Sequence, residues 1–266
     1  MTIQAFRQAL REENYAANTI TAYAYAVREF NARYSVLNKK NLLLHKTFLI
    51  DTYHPKTVNV RIQGLNKYLV LSGRPKLKLK SVKMPKATFV DNVITREDYL
   101  FFKKKLSREP DRRWYFIVWF LAATGARISE LLQLKVEHVH AGHYDICSKG
   151  GRCRRLYIPA KLRNEALLWL ADRSSGYLFL NSAGLPITSR GISARLKEYA
   201  VKYGIDPAVV HPHSFRHLFA KNFLRKENDL ALLADLLGHE NIETTRIYLQ
   251  RSSREQGALV DRVVDW

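Results

Sequence analysis

The run from Trp114 to Ala123 constrains the fold most, because ten apolar residues in succession leave no side for water to face. A helix that is apolar all round must be buried, inside a protein or inside a membrane. A bilayer core needs roughly 20 such residues. This run is bracketed by Asp111-Arg112-Arg113 before it and Thr124-Gly125-Ala126-Arg127 after it. Residues 112–123 are therefore expected as the central helix of a globular domain, and no membrane partner is expected. Met1-Thr2-Ile3-Gln4 lacks a basic start leading into an apolar stretch, so no signal peptide is expected either. Cys147 and Cys153 are too few for a disulfide framework and lack the His pairs of a metal site. They flank one turn and are expected as buried or half-buried thiols rather than a redox switch, in a cytoplasmic protein.

Charge then narrows the partner. The 266 residues carry a net charge of +20, which selects for polyanions such as DNA, RNA or an anionic membrane surface. The excess is uneven. Residues 1–86 hold 16 Lys and Arg against 4 Asp and Glu, while the remaining 180 hold 28 against 20. The first third is thus expected to lie along phosphates. It reads as helical: Ile20, Tyr23, Val27 and Phe30 form one stripe behind Asn18-Thr19 as cap, and a second helix is expected over 56–71. Arg74 to Lys80 alternates Lys with Leu but begins with a Pro. It is expected as an extended basic segment, with Arg74, Lys76, Lys78, Lys80, Lys83 and Lys86 touching phosphates; its alternative is a solvated, disordered run. The division expected is a helical, strongly basic domain over 1–84, a linker over 85–94, and a larger domain over 95–266.

The larger domain is expected to be helix-rich with one small sheet. Thr95 followed by Asp98 resembles a capping box. Tyr144 to Cys147 and Arg155 to Ile158 alternate around Ser148-Lys149-Gly150-Gly151, a hairpin signal. Helices are expected again over 189–203, 214–225 and 229–237.

Three separated segments carry chemistry. Gly125 breaks the central helix, so Arg127 opens the next one, where its planar fork can hold a phosphate; alternatively it caps that helix and pairs with Glu130. His213 and Arg216 share a helix face, an odd pair to desolvate unless an anion answers both. Gly238 ends a helix, His239 begins a turn, and Tyr248 follows nine residues later on a short helix. A phenol beside two arginines and a histidine is a credible nucleophile on phosphorus.

These segments resemble the tyrosine recombinases, the family of phage-type integrases and the two-domain Xer recombinases. The resemblance spans nearly the whole chain, and the ordered set of motifs is highly specific. It places Arg127, Lys149, His213, Arg216, His239 and Tyr248 at the catalytic positions and Glu130 at a supporting one. It implies a mainly α fold with a small β-sheet: a helical, SAM-like core-binding domain followed by an α+β catalytic domain. It further implies site-specific integration, excision, inversion or resolution through a 3′-phosphotyrosine, with no metal and no cofactor. Lys149 would be the general acid, His213 the proton acceptor for Tyr248, and His239 a hydrogen-bond donor to the phosphate. The expected assembly is a homotetramer on two double-stranded DNA sites, exchanging C-terminal tails whose apolar side is Val260, Val263, Val264 and Trp266. A type IB topoisomerase and a non-cleaving DNA-binding regulator on the same fold remain as alternatives.

Overall fold

The computed structural model describes residues 1–84, 92–147, 153–239, 241–249 and 253–264. The chain divides into two compact units, Met1–Lys86 and Ala87–Trp266.

The first unit is helical: α1 (Ile3–Glu12), α2 (Ala17–Asn31), α3 (Lys39–Thr52) and α4 (Pro55–Leu71). Each start but that of α2 has side-chain capping. The Thr2 hydroxyl accepts from Ala5 N at 3.2 Å, Asn38 from Asn41 N at 2.8 Å, and His54 precedes Pro55 at the first helical position. The α2 cap differs from the sequence expectation, since the helix begins at Ala17, two residues earlier, without a side-chain cap. Ile20, Val27 and Phe30 pack against Val58, Ile62 and Leu65 of α4 in one buried cluster. Helices α2 and α4 approach so closely that a Cβ on Gly64 would lie 2.9 Å from the Tyr23 backbone, so only glycine fits there.

The basic segment after α4 is extended, following a short 3₁₀ turn at Pro75–Leu77. Two asparagines of α4 pin it by copying backbone pairing. Asn66 donates to Leu79 O and accepts from Leu79 N, both at 2.8 Å. Asn59 does the same with Val82, at 3.0 and 2.8 Å. Leu79 is buried while Lys76, Lys78, Lys80 and Lys83 are exposed. The alternation of Lys with Leu therefore marks an inside and an outside, and the disordered alternative falls. Arg74 instead reaches back to Leu37 O at 2.9 Å. Lys86 lies outside the described residues.

The second unit is built around α6 (Arg113–Thr124), which follows α5 (Arg96–Leu106). Every residue from Trp114 to Leu121 is buried, as an all-apolar helix requires. Thr95 caps α5 by accepting from Asp98 N at 3.0 Å. Ile94, which the sequence put at the end of the linker, is instead 1% exposed within this core. Then come α7 (Ile128–Leu131), α8 (Val136–Ala141), the antiparallel strands β1 (His143–Cys147) and β2 (Cys153–Tyr157), α9 (Ala160–Leu170), α10 (Ser189–Lys202), α11 (Pro212–Lys226), α12 (Leu230–Leu237), α13 (Glu243–Arg246) and α14 (Ser253–Val263). No helix among the described residues is long and apolar enough to cross a membrane.

The hairpin register sets Cys147 opposite Cys153, and the two sulfurs form a disulfide. The expectation of two buried or half-buried thiols is thereby corrected: both residues are exposed. The physical reason is register, because residues facing each other across an antiparallel pair bring their Cβ atoms within bonding range of a disulfide. The enclosed residues 148–152, Lys149 among them, lie outside the described residues.

Candidate active site

The site is organised by the C-terminus of α12. The last carbonyls of a helix have no partner within it, and they form the negative end of its dipole. Gly238 ends α12 in the left-handed conformation, at φ 63°. Three arginines from three other elements then take the three exposed carbonyls in turn. Arg154 of β2 donates to Leu236 O at 2.6 Å, Arg216 of α11 to Leu237 O at 2.7 Å, and Arg127 to Gly238 O at 3.0 Å.

These guanidiniums differ in access. Arg127 caps α7 and keeps 42% of its side chain exposed. Arg216 is 2% exposed and is among the largest fully buried side chains. A buried guanidinium demands acceptors, and Arg216 has them: besides Leu237 it donates to Gly125 O at 2.7 Å and to His239 Nε2 at 2.9 Å, and it interacts with the Tyr248 hydroxyl. Burial, then the charge of Arg127, lower its pKa, opposed by Tyr248.

Glu130 answers two of the three cations. Its Oε1 accepts from Arg127 Nη1 at 2.9 Å, and its Oε2 from Arg127 N and from Arg154 Nη2, both at 2.6 Å. Burial would raise this carboxyl, but Arg154 and Arg127 outweigh it and hold the group below its ordinary value. The pairing of Arg127 with Glu130 and the convergence of Arg127 on the site are thus both present.

His239 follows Gly238. A guanidinium has only donors, so Nε2 must accept from Arg216, which puts the proton on Nδ1. That N–H faces Thr245 Oγ1 at 2.8 Å. Burial, then Arg216, Arg127 and Arg154, push this imidazole down to about 4, so it is neutral at pH 7. Both ring nitrogens of His239 are thus engaged, Nδ1 with Thr245 and Nε2 with Arg216. Tyr248, on a 3₁₀ turn after α13, is 5% exposed. Its ring stacks on His239 at 5.9 Å and meets His217 edge-on at 4.8 Å. His213 is exposed and meets His217 edge-on at 4.6 Å. A pocket of about 490 Å³ opens beside these groups, lined by Arg127, Glu130, Cys153, Arg154, Gly238 and His239 among others.

The phage integrase family pattern matches residues 93–255. The chain belongs to that family. Tyrosine recombinase XerA of Pyrococcus furiosus is 30% identical over 98% of this chain and 93% of its own. Tyrosine recombinase XerC of Bacillus pumilus is 27% identical over 89% and 87%. Among solved structures, the Tn1549 transposon integrase in complex with circular intermediate DNA superimposes with a TM-score of 0.70 at 19% identity, covering 99% of this chain and 100% of that one. This phage integrase family member is a tyrosine recombinase, a DNA-breaking and rejoining enzyme of site-specific recombination; nothing in these comparisons supports the topoisomerase or regulator alternatives.

Within this family member, Arg127, Glu130, Arg216, His239 and Tyr248 converge, and His213 joins them through His217. Lys149 falls outside the described residues. Two neighbours escaped the sequence reading. His217 touches the Tyr248 ring; its signal was its place one turn after His213. Arg154 lies outside the motifs that the sequence singles out. Its signal was phase, since it shares a strand face with buried Leu156, and an arginine on the inner face of a strand needs acceptors there.

Proposed function

We propose that Tyr248 is the nucleophile of this recombinase and that Arg127 and Arg216 hold the scissile phosphate. Attack by the phenolic oxygen forms a bond to phosphorus and breaks the bond to the 5′ oxygen, leaving a 3′-phosphotyrosine and a 5′ hydroxyl. Negative charge builds on the nonbridging oxygens as the phosphorus becomes five-coordinate, and two fixed guanidiniums stabilise it without reorganising. The observation that carries this reading is Arg216, a buried cation held simultaneously against Tyr248, His239 and the α12 end. His213 takes the phenolic proton and Lys149, following the family resemblance, supplies the proton to the leaving oxygen. His239 acts by orienting Arg216. The phosphotyrosine bond retains the energy of the phosphodiester, so a 5′ hydroxyl from a partner strand reverses the step.

The exposed Lys76, Lys78, Lys80 and Lys83 are read as phosphate contacts to double-stranded DNA. Helix α14 leaves Val260 and Val263 exposed at 55% and 56%, which supports a tail that docks on a neighbouring protomer in a tetramer. The location is read as cytoplasmic. The test is covalent trapping on nicked duplex carrying the protein's own site. Wild type is expected to form an adduct and Tyr248→Phe to bind equally but form none. Absence of a wild-type adduct would instead favour the non-cleaving regulator.

A further inference from the structure

We infer that Arg154 is a positioning residue of the cleavage site, which aligns Arg127 through Glu130 and fixes the helix end from which His239 departs. The inference rests on the reading of Arg127 and Tyr248 just given.

Its geometry is that of a strut rather than a ligand for DNA. The side chain is 11% exposed, and its two terminal nitrogens are committed in different directions, Nη1 to Leu236 O and Nη2 to Glu130 Oε2, each at 2.6 Å. One planar group thus fixes the distance between α12 and the Glu130 carboxylate. Glu130 in turn grips both the backbone N–H and the Nη1 of Arg127. Without Arg154, a carboxylate that is 8% exposed would have one cation instead of two, and would be free to turn toward Arg127 and carry it off line. The rest of the stem packs on the α12 end: a Cβ placed on Gly238 would collide with Arg154 Cδ and Nε. Gly238 is therefore held to glycine twice, by its left-handed backbone and by the arginine lying across it. A lysine retains the charge but cannot span both acceptors, because only a guanidinium presents two donors in a fixed plane.

Neighbouring Arg155 supplies the contrast. It points outward and pairs with Asp145 at 2.7 Å, with 46% and 52% of the two side chains exposed, a pair worth little.

The test uses full-length protein and a nicked duplex recovered by wild-type binding from a random-sequence DNA pool. Single-turnover adduct formation is measured at saturating protein, affinity is measured on the same duplex, and folding is checked by circular dichroism. A small misplacement of a reacting group slows chemistry by about 10²-fold, so Arg154→Met is expected to lose about that factor in rate with affinity within about threefold. Arg154→Lys, which keeps Glu130 paired and the fold intact, is expected to recover only part of the rate, and Arg155→Met to cleave at the wild-type rate. Arg154→Met combined with Glu130→Gln is expected to be no slower than the slower single variant, because the two act through one link. A folded Arg154→Lys that cleaves like wild type overturns the inference, as does a loss in Arg154→Met shared equally between rate and affinity. If wild type itself forms no adduct on this duplex, the nucleophile reading fails and takes this inference with it, an outcome distinct from the other two.

Discussion

The two units use positive charge in opposite ways. In the first, Lys76, Lys78, Lys80 and Lys83 stand exposed along an extended segment whose leucines face in. In the second, Arg216 is 2% exposed, and the Arg154 side chain 11%. An exposed ammonium keeps its hydration and acts through a field that salt screens within about 10 Å at 0.1 M. A buried guanidinium has surrendered water, and persists only because carbonyls and a carboxylate replace it. The first arrangement suits holding a polyanion of any sequence; the second suits a fixed demand at one phosphorus.

The sharpest way to break this comparison is Arg216→Lys. A point charge cannot reproduce contacts to Gly125 O, Leu237 O and His239 at once, so adduct formation is expected to fall at least ~10³-fold with little change in DNA affinity. Equal loss of affinity in a filter-binding assay would erase the distinction between the units. Replacing Lys76, Lys78, Lys80 and Lys83 together by Gln tests the converse. If all four meet phosphates, the slope of log affinity against log salt is expected to shrink by about 3 to 4 units. The rate at saturating DNA is expected to stay the same.

A third prediction concerns a buried imidazole in the first unit. His45 is 0% exposed, its ring nitrogens have no hydrogen-bond partner, and it packs among Phe30, Tyr34 and Phe48. Burial is the main cause pushing it down to about 4, with Arg33 and Arg61 adding and Glu29 opposing. Since the folded value lies below the ordinary 6.5, the stability linked to it is present above pH 6.5 and lost as pH falls from there toward 4. The loss is expected to be roughly 2–3 kcal/mol, read as faster amide exchange in α2 and α3, and His45→Phe is expected to flatten it. The smallest effect is expected for Cys147→Ser with Cys153→Ser. Opening so short a ring removes about 2 kcal/mol or less, confined to exchange of hairpin amides, with α1 to α4 unaffected.

Much of this was legible in the sequence because local rules carried it. The apolar run gave α6, the Val58, Ile62 and Leu65 spacing gave α4, and the motif order placed Arg127, Arg216 and Tyr248 in one site. What escaped depended on pairings distant in sequence. Asn59 and Asn66 look like ordinary polar residues on a helix until the chain folds back to use them as backbone substitutes. Helix α3 hid because its exposed face also carries apolar residues, Leu43, Leu44 and Ile50, which blurs the period. The disulfide escaped because cysteine count argues about frameworks, whereas one cross-strand pair needs only register. Arg154 escaped because its acceptors, Leu236 O and Glu130, lie 82 and 24 positions away.

The three carbonyls at the end of α12 have a bearing on how such a chain can change over time. Each successive residue turns the helix by about 100°, so inserting or deleting one residue in Leu230–Leu237 would swing Leu236, Leu237 and Gly238 away from all three of their arginines together. Its length therefore cannot drift, and a deep mutational scan that includes single-codon insertions is expected to show α12 less tolerant of a change in count than of a change in letter at its exposed Ala231, Leu232 and Asp235.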